Sequence, residues 1–128
     1  YKIMIYGVGT DIIQIQRIKD MKSQKSFAQK ILSKEELHTY SQLNQEQQIM
    51  YLSKQFSGKE AFSKAIGKGI TGEINFKSIK ILRDSCGKPF FDFSKEIKKL
   101  LNDLGIRQSH VSLSDESEYA IAFVILEK

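Results

Sequence analysis

The longest predicted helix is the feature that most constrains how this chain can fold. Apolar residues recur at helical spacing over about Gln45–Ile66, and a Gly-Lys-Gly segment at 67–69 ends the pattern. The whole chain has only 128 residues, which is the size of one domain. We therefore expect a single domain over residues 1–128, in which a sheet packs against helices that include this long one.

The other segments predict an α+β fold with an antiparallel-rich sheet. Apolar spacing, turns and caps predict, in chain order, a strand at 3–10, helical segments from Asp11 and around Phe27, a helix capped by Ser33 that ends near Leu43, the long helix, strands at 76–81 and 89–93, a helix capped by Ser94, and strands at 110–114 and 119–126. Elements in this order do not alternate regularly, which favours α+β over α/β. The last strand has eight consecutive uncharged residues, so we expect it to be buried on both faces or to lie in an interface.

Positive charge is concentrated in one part of the chain. The formal net charge is +5. The segment 17–34 holds six basic residues and one acid, Asp20; the bases are Arg17, Lys19, Lys22, Lys25, Lys30 and Lys34. The rest of the sequence is neutral on balance. We expect this segment to meet an acidic partner, such as a nucleic acid, a phosphorylated ligand, an anionic membrane or an acidic protein.

Several classes of protein are excluded by composition. No window approaches the ~18 uncharged apolar residues of a membrane span, and the N-terminal residues lack the pattern of a signal peptide. The single cysteine, Cys86, cannot form an internal disulfide or a cysteine-based zinc site. We therefore expect a reducing compartment, the cytoplasm, and no membrane partner.

Glu60 stands at an unusual place on the long helix. It lies at the edge of the apolar stripe formed by Ile49, Leu52, Phe56, Phe62 and Ile66, and Lys64 lies just beyond it. A carboxylate at the margin of a core needs a partner. One interpretation is a surface ion pair between Glu60 and Lys64, four residues apart; the other is a functional carboxylate.

Asp11 is the second candidate, because it follows Gly7 and Gly9 where the first predicted strand ends. A carboxylate in such a loop is a common functional position, although it could also cap the following helix. Two carboxylates with lysines nearby would suit a magnesium ion shared with substrate phosphates, because Mg²⁺ prefers oxygen ligands and often takes only one or two from the protein.

Three blocks of sequence resemble the holo-[acyl-carrier-protein] synthases, the small group of 4′-phosphopantetheinyl transferases. They are Gly-Val-Gly-Thr-Asp-Ile at 7–12 with its continuation to 18, Phe-Ser-Gly-Lys-Glu-Ala-Phe-Ser-Lys-Ala-Ile-Gly-Lys-Gly at 56–69, and His-Val-Ser-Leu-Ser-Asp at 110–115 followed by Tyr-Ala-Ile-Ala at 119–122. The second block follows the family pattern Phe-x-x-Lys-Glu-Ala-x-x-Lys-Ala-x-Gly-x-Gly. A Gly-Lys-Pro turn at 87–89 also matches. Together the blocks cover nearly the whole chain in the expected order.

The resemblance implies a reaction and a set of roles. Members transfer 4′-phosphopantetheine from coenzyme A to a serine of an apo-acyl carrier protein, release 3′,5′-ADP and support fatty acid biosynthesis. Asp11 and Glu60 would bind Mg²⁺, and Lys64 would stabilise or protonate the departing nucleotide. Lys59 and Ser63 would line the phosphate site of the coenzyme. The nucleotide end would be shaped by Gly87, Lys88 and Pro89. His110 would lie beside the coenzyme A of a neighbouring subunit.

The resemblance also implies partners. The family is typically a homotrimer with active sites between subunits, which would place the apolar run 119–126 near an interface. Acyl carrier proteins are acidic, so the basic segment would dock one, with opposite charges raising the association rate. The docking residues would be Arg17, Met21, Lys22, Lys25, Phe27 and Lys30. The other interpretation of these charges is a solvated helix face.

Two positions depart from the family pattern, and one other function stays open. Asp115 stands where many members have His, and Gln55 stands where they often have Arg, so that a cationic phosphate contact is absent unless Lys54 supplies it. The alternative is a small basic nucleic-acid-binding protein, for which clustered aromatic residues would supply stacking. Its aromatic residues, Phe90, Phe91 and Phe93, lie outside the basic segment.

Overall fold

The computed structural model of the protein describes residues 3–72 and 74–128; Tyr1, Lys2 and Glu73 lie outside this description. The helices are α1 (Ile15–Lys19), α2 (Gln24–Ile31), α3 (Lys34–Ser41), α4 (Gln45–Ile66) and α5 (Lys95–Asp103), with a short 3₁₀ turn at Phe76–Ser78. The strands are β1 (Ile5–Gln14), β2 (Ile79–Arg83), β3 (Pro89–Phe93), β4 (Gln108–Asp115) and β5 (Tyr119–Glu127).

The strands form two antiparallel sheets, which confirms the predicted α+β class. The larger sheet has the order β1-β5-β4, and β2 and β3 form a separate hairpin. Asp11 lies opposite Ala122 in the pairing of β1 with β5. The predicted long helix, α4, is confirmed at its expected bounds, and the predicted capping box of α3 is present between Ser33 and Glu36.

Two glycines let α4 lie directly on β1. A Cβ atom added to Gly9 would lie 1.9 Å from the carbonyl oxygen of Ala61, and one added to Gly7 would lie 2.0 Å from the carbonyl oxygen of Ala65. No side chain can occupy these positions without moving the helix away. Because alternate residues of a strand share a face, Asp11 follows these glycines on the side that faces α4.

Helix α4 contributes to both hydrophobic clusters of the protein. Phe62 and Ile66 pack in one cluster with β2, α5 and the inner face of the large sheet, and Leu52 packs in the other with α1 and α2. The apolar stripe predicted from sequence is too narrow, because further residues of α4 are buried: Ser53, Gln55, Ser57, Gly58 and Lys59. A helix that is packed on most sides needs no single apolar face.

Strand β5 is buried on one face only. Ala120, Ala122, Val124 and Leu126 point into the core, whereas Tyr119, Ile121 and Phe123 are 38%, 41% and 44% exposed. Burial on both faces is therefore wrong for the single chain, and the alternative expectation, a place in an interface, stays a prediction. The outer face is apolar nonetheless.

The N-terminal region differs from the prediction at Asp11. Strand β1 continues to Gln14 instead of ending at position 10, and α1 begins only at Ile15. Asp11 is thus neither in a loop nor the cap of a helix, because cross-strand hydrogen bonds to β5 extend the strand past the glycines. A smaller difference is that Phe76 belongs to the 3₁₀ turn before β2.

Within the described part of the chain, none of the helices combines the length and the apolar character that crossing a membrane would need.

Candidate active site

The carboxylate of Asp11 is held by two side chains of α4. Its Oδ1 atom accepts a hydrogen bond from Lys64 Nζ at 3.1 Å, and its Oδ2 atom accepts one from Ser57 Oγ at 3.1 Å. Lys64 Nζ also donates to the backbone carbonyl of Thr10 at 3.0 Å. The strand and the long helix therefore meet at a polar cluster, although they lie far apart in the sequence.

Glu60 belongs to the same cluster. Burial raises the pKa of Glu60, the negative charge of Asp11 raises it further, and the positive charge of Lys64 opposes both effects. The two carboxylates are thus close enough to repel each other. Lys64 forms its ion pair with Asp11, so the alternative interpretation, a surface pair between Glu60 and Lys64, is wrong.

The donor set of this cluster fits a magnesium ion. Asp11 and Glu60 supply carboxylate oxygens that raise each other's electrostatic energy, which a divalent cation would relieve. Over residues 3–72 and 74–128 there is no group of three or more His, Cys, Asp and Glu side chains that could hold a metal. Two carboxylates are sufficient where substrate phosphates and water complete the shell, as is usual for Mg²⁺.

Lys59 does not lie at this cluster, contrary to expectation. Its side chain is 0% exposed, and Nζ donates to Glu36 Oε1 at 2.7 Å and to the carbonyls of Ile31 at 2.6 Å and Phe76 at 2.9 Å. All three N–H bonds of the ammonium group are therefore used inside the protein. We reassign Lys59 from phosphate binding to a structural role.

The buried carboxylate of Glu36 was not singled out from the sequence. It accepts from Lys59, from the backbone N–H groups of Ser33 and Ile81, and from Gln55 Nε2. Gln55 also donates to the carbonyl of Ile81 at 3.0 Å. Position 55 therefore faces a buried ion pair and no phosphate site, which corrects the expectation that a phosphate contact is missing there. The capping-box motif was the only sequence signal for Glu36.

Among the described residues, the other predicted coenzyme residues make no hydrogen bond or ion pair with the side-chain carboxylates of Asp11 and Glu60. Ser63 is buried and donates to the carbonyl of Glu60 at 2.8 Å. Gly87, Lys88 and Pro89 lie at the turn and the start of β3 in the β2–β3 hairpin. His110 lies on β4, where its Nε2 atom is 2.5 Å from Glu127 Oε1. No hydrogen bond or ion pair within the described residues links these last four positions to Asp11.

The predicted docking residues divide into exposed cations and half-buried apolar side chains. Met21 and Phe27 pack against the cluster around α1 and α2, and the rings of Phe27 and Phe56 are 5.4 Å apart. The four cations are exposed: Arg17, Lys22, Lys25 and Lys30. Asp115 forms an ion pair with Lys54 at 3.5 Å.

The aromatic cluster on β3 does not support the nucleic-acid alternative. The rings of Phe91 and Phe93 lie 5.3 Å and 4.9 Å from the ring of Phe62, which is fully buried. Two of the three aromatic residues therefore pack against the core instead of offering a platform for bases.

The chain belongs to the 4′-phosphopantetheinyl transferase superfamily, whose sequence pattern it matches over residues 7–124. It is 41% identical over 127 residues to the holo-[acyl-carrier-protein] synthase of Neisseria meningitidis serogroup A, with 98% of this chain and 100% of the relative covered. It is 44% identical over 125 residues to that of Vibrio parahaemolyticus, with 96% and 98% covered. The resemblance seen in the three sequence blocks is confirmed.

Solved structures agree with this assignment. The crystal structure of the Neisseria meningitidis holo-[acyl-carrier-protein] synthase superposes with a TM-score of 0.90 at 42% identity, covering 98% of this chain and 100% of that chain. The enzyme from Bacillus anthracis in complex with CoA (3′,5′-ADP) superposes with a TM-score of 0.84 at 34% identity, covering 98% of each chain.

Proposed function

We propose that this protein is a magnesium-dependent holo-[acyl-carrier-protein] synthase. It transfers 4′-phosphopantetheine from coenzyme A to a serine of an apo-acyl carrier protein, releases 3′,5′-ADP and supports fatty acid biosynthesis. The observation that carries the proposal is the meeting of Asp11, Glu60 and Lys64 between β1 and α4, in a chain that resembles a CoA-bound synthase over 98% of its length.

The reaction is a phosphoryl transfer. The serine oxygen of the carrier protein attacks the β-phosphorus of coenzyme A, and the bond to the bridging oxygen breaks, so that the phosphopantetheine arm moves and 3′,5′-ADP leaves. Such a transfer requires mainly alignment and charge neutralisation from the enzyme. Magnesium held by Asp11 and Glu60 would neutralise charge on the diphosphate.

Lys64 is suited to the leaving group. Its side chain is 54% exposed although it is bonded to Asp11, so the ammonium can turn toward an incoming diphosphate. There it stabilises or protonates the oxygen of the departing 3′,5′-ADP. The serine proton goes to Glu60 directly or to a water beside the two carboxylates.

We infer that the active site is completed by a second subunit of a homotrimer. The family resemblance implies that His110 lies beside the coenzyme A of a neighbouring subunit, and in the single chain the side chain of His110 is exposed and contacts Glu127, not Asp11. The outer face of the large sheet is apolar, with Ile12, Ile121 and Phe123 exposed, and His110 lies opposite Ile125 on the same sheet. Burying this face would place a neighbouring copy against β1, the strand that carries Asp11.

Carrier recognition is assigned to the basic segment. Its exposed cations would meet an acidic carrier protein, and the half-buried Met21 and Phe27 would supply apolar contact. We place the reaction in the cytoplasm, because the single cysteine suits a reducing compartment.

The proposal is tested by a mass shift. The purified protein is mixed with an apo-acyl carrier protein, coenzyme A and Mg²⁺, and the carrier should gain one phosphopantetheine on a serine; chelation of the metal should stop the gain. Asp11→Ala and Glu60→Ala should stay folded and lose at least about 100-fold in rate.

Glu46→Ala is the matched control, because Glu46 is an exposed carboxylate in the first turn of the same helix. It should transfer at the rate of the unmodified protein. Absence of any mass gain with the unmodified protein overturns the proposal, and near-normal turnover of Asp11→Ala or Glu60→Ala overturns the metal assignment.

A further inference from the structure

Three serines of α4 make different hydrogen bonds. Ser53 donates to the carbonyl of Ile49 at 2.8 Å, and Ser63 donates to the carbonyl of Glu60 at 2.8 Å. A helical serine commonly bonds to its own helix in this way. The hydroxyl of Ser57 instead crosses to β1 and donates to Asp11 Oδ2.

The bond from Ser57 restrains the orientation of the Asp11 carboxylate. Ser57 is fully buried, so its hydroxyl does not exchange this partner for water. Lys64 holds the other oxygen of the same carboxylate. Because Ser57 and Lys64 lie seven residues apart, about two turns of helix, they hold the carboxylate from the two sides of Glu60.

The hydrogen bonds that Lys64 and Ser57 make to Asp11 are expected to respond differently when the substrate binds. Lys64 is half exposed and carries a charge that the diphosphate attracts, so its bond to Asp11 weakens when the ammonium turns toward the phosphates. Ser57 has no charge and no access to solvent, so its bond persists. One oxygen of Asp11 thereby stays fixed while the other becomes free for a cation.

We propose that Ser57 is a positioning residue that orients Asp11 for metal binding. The inference rests on the proposed function and deepens it, because position 57 falls on an unspecified place in the family pattern. Partners that orient a metal ligand typically change metal affinity or activity by about 10–100-fold when they are removed. The competing explanation is that the bond only satisfies a buried hydroxyl and affects stability alone.

The test compares Ser57→Ala with Ser53→Ala, a change of the same residue type at another fully buried position of the same helix. Mn²⁺ binding to the full protein in the presence of coenzyme A, without carrier protein, is measured by electron paramagnetic resonance. We expect Ser57→Ala to weaken Mn²⁺ binding by about tenfold and Ser53→Ala to leave it unchanged. In the transfer assay, Ser57→Ala should lower kcat and raise the Mg²⁺ requirement, with the KM for the carrier protein unchanged.

Conservative variants separate positioning from structure. Ser57→Thr keeps the hydroxyl and should restore Mn²⁺ affinity. If Ser57→Ala does not fold, as judged by thermal unfolding, Ser57→Cys keeps the volume with a weaker donor and should bind Mn²⁺ more weakly than the unmodified protein. Equal Mn²⁺ affinity of the unmodified protein and the folded Ser57 variants overturns the inference and leaves the proposed function intact. Absence of Mn²⁺ binding to the unmodified protein overturns the inference together with the metal assignment, and the mass-shift assay then decides separately whether the transfer itself takes place.

Discussion

Glu60 is held in a state that is unfavourable for an isolated carboxylate. It is half-buried and faces the charge of Asp11, and Lys64 compensates only in part because that lysine is bonded to Asp11. Such an arrangement costs stability in the absence of a cation. A bound cation, as proposed, would offset this cost.

The pH dependence of stability tests this cost. Because the pKa of Glu60 is raised above its ordinary value of 4.5, the folded protein binds more protons than the unfolded chain between those two values. The contribution of Glu60 to stability is therefore fully present below its ordinary pKa and is lost as pH rises through the raised pKa. Glu60→Gln should raise the Tm of the metal-free protein at about pH 8 and change it less at about pH 4. A Tm of Glu60→Gln below that of the unmodified protein at about pH 8 would contradict this account.

The buried ion pair of Lys59 and Glu36 connects four parts of the chain through hydrogen bonds. Through it α4 is bonded to α3, to the end of α2 and to the turn before β2. None of the described buried side-chain nitrogen and oxygen atoms lacks a hydrogen-bond partner. Removing one partner would leave an uncompensated charge in the core.

Loss of this pair should be costly to stability. Lys59→Met leaves the carboxylate of Glu36 without its cation and should lower the free energy of unfolding by about 3–5 kcal/mol in urea titrations. The control is Lys80→Met, which removes an ion pair with the neighbouring Glu35 at 2.6 Å but on the surface, and should cost no more than about 1 kcal/mol. Equal losses in the two variants would refute the structural role assigned to Lys59.

At the scale of elements, the contact between β1 and α4 builds the site. A side chain at Gly9 would have to push Ala61 away, and Asp11 is only two residues further along the strand. Displacing the strand would therefore also move Asp11 relative to Glu60 and Lys64. Stability and activity depend on the same contact.

Gly9→Ala should consequently lower both the stability and the transfer activity of the protein. We expect a loss of about 1–3 kcal/mol or more in the free energy of unfolding, together with loss of phosphopantetheine transfer. Gly69→Ala is the control, because an added Cβ atom there meets nothing within 4 Å and should change neither quantity. A fully active Gly9→Ala variant would show that the close approach is dispensable.

The basic segment includes two short helices, α1 and α2, as predicted, and the loop between them carries Lys22. Reversing charge at its exposed positions with Arg17→Glu and Lys22→Glu should raise the KM for the carrier protein and leave the KM for coenzyme A nearly unchanged, since charge complementarity governs the encounter with the acidic partner. Lys95→Glu, which reverses an exposed charge on α5, should change neither. Equal effects on both substrates argue against docking at this segment.

At the scale of the whole molecule, the outer face of the large sheet exposes a patch of large apolar side chains to solvent. Ile12 and Ile121 are paired across β1 and β5 and are 60% and 41% exposed, and Phe123 is 44% exposed beside them. Exposed apolar patches of this kind mark interaction sites. A second and third copy of the chain would bury them.

Measuring the oligomeric state tests whether other copies of the chain bury this apolar face. The unmodified protein should have the mass of a trimer in light scattering after size exclusion, and Phe123→Glu should dissociate it and abolish transfer, because a charge would be buried in an apolar interface. Asn102→Glu adds the same charge to an exposed position of α5 and should leave the trimer intact. A monomeric unmodified protein with full activity would overturn the shared active site.

The sequence predicted the helices of this protein better than it predicted the contacts made around the candidate site. The glycine that ends α4 and the caps at Ser33 and Ser94 placed their helices correctly. Asp11, Glu60 and Lys64 were predicted from their positions and the family pattern, and the structure brings the three side chains together. The partners of Ser57 and Lys59 were missed, because a hydroxyl or an ammonium on a helix gives no sign of which distant strand or turn it will meet.

The sequence by itself determined helices α3, α4 and α5 and singled out Asp11 and Glu60 as candidate carboxylates, since caps, apolar periods and motifs depend on neighbours within a few residues. Only the tertiary structure decided that β1 extends past Asp11, that Asp11 faces α4, and that Lys59 turns into the core toward Glu36. Those outcomes depend on pairing with β5 and on packing against helices remote in the chain, which no local pattern records.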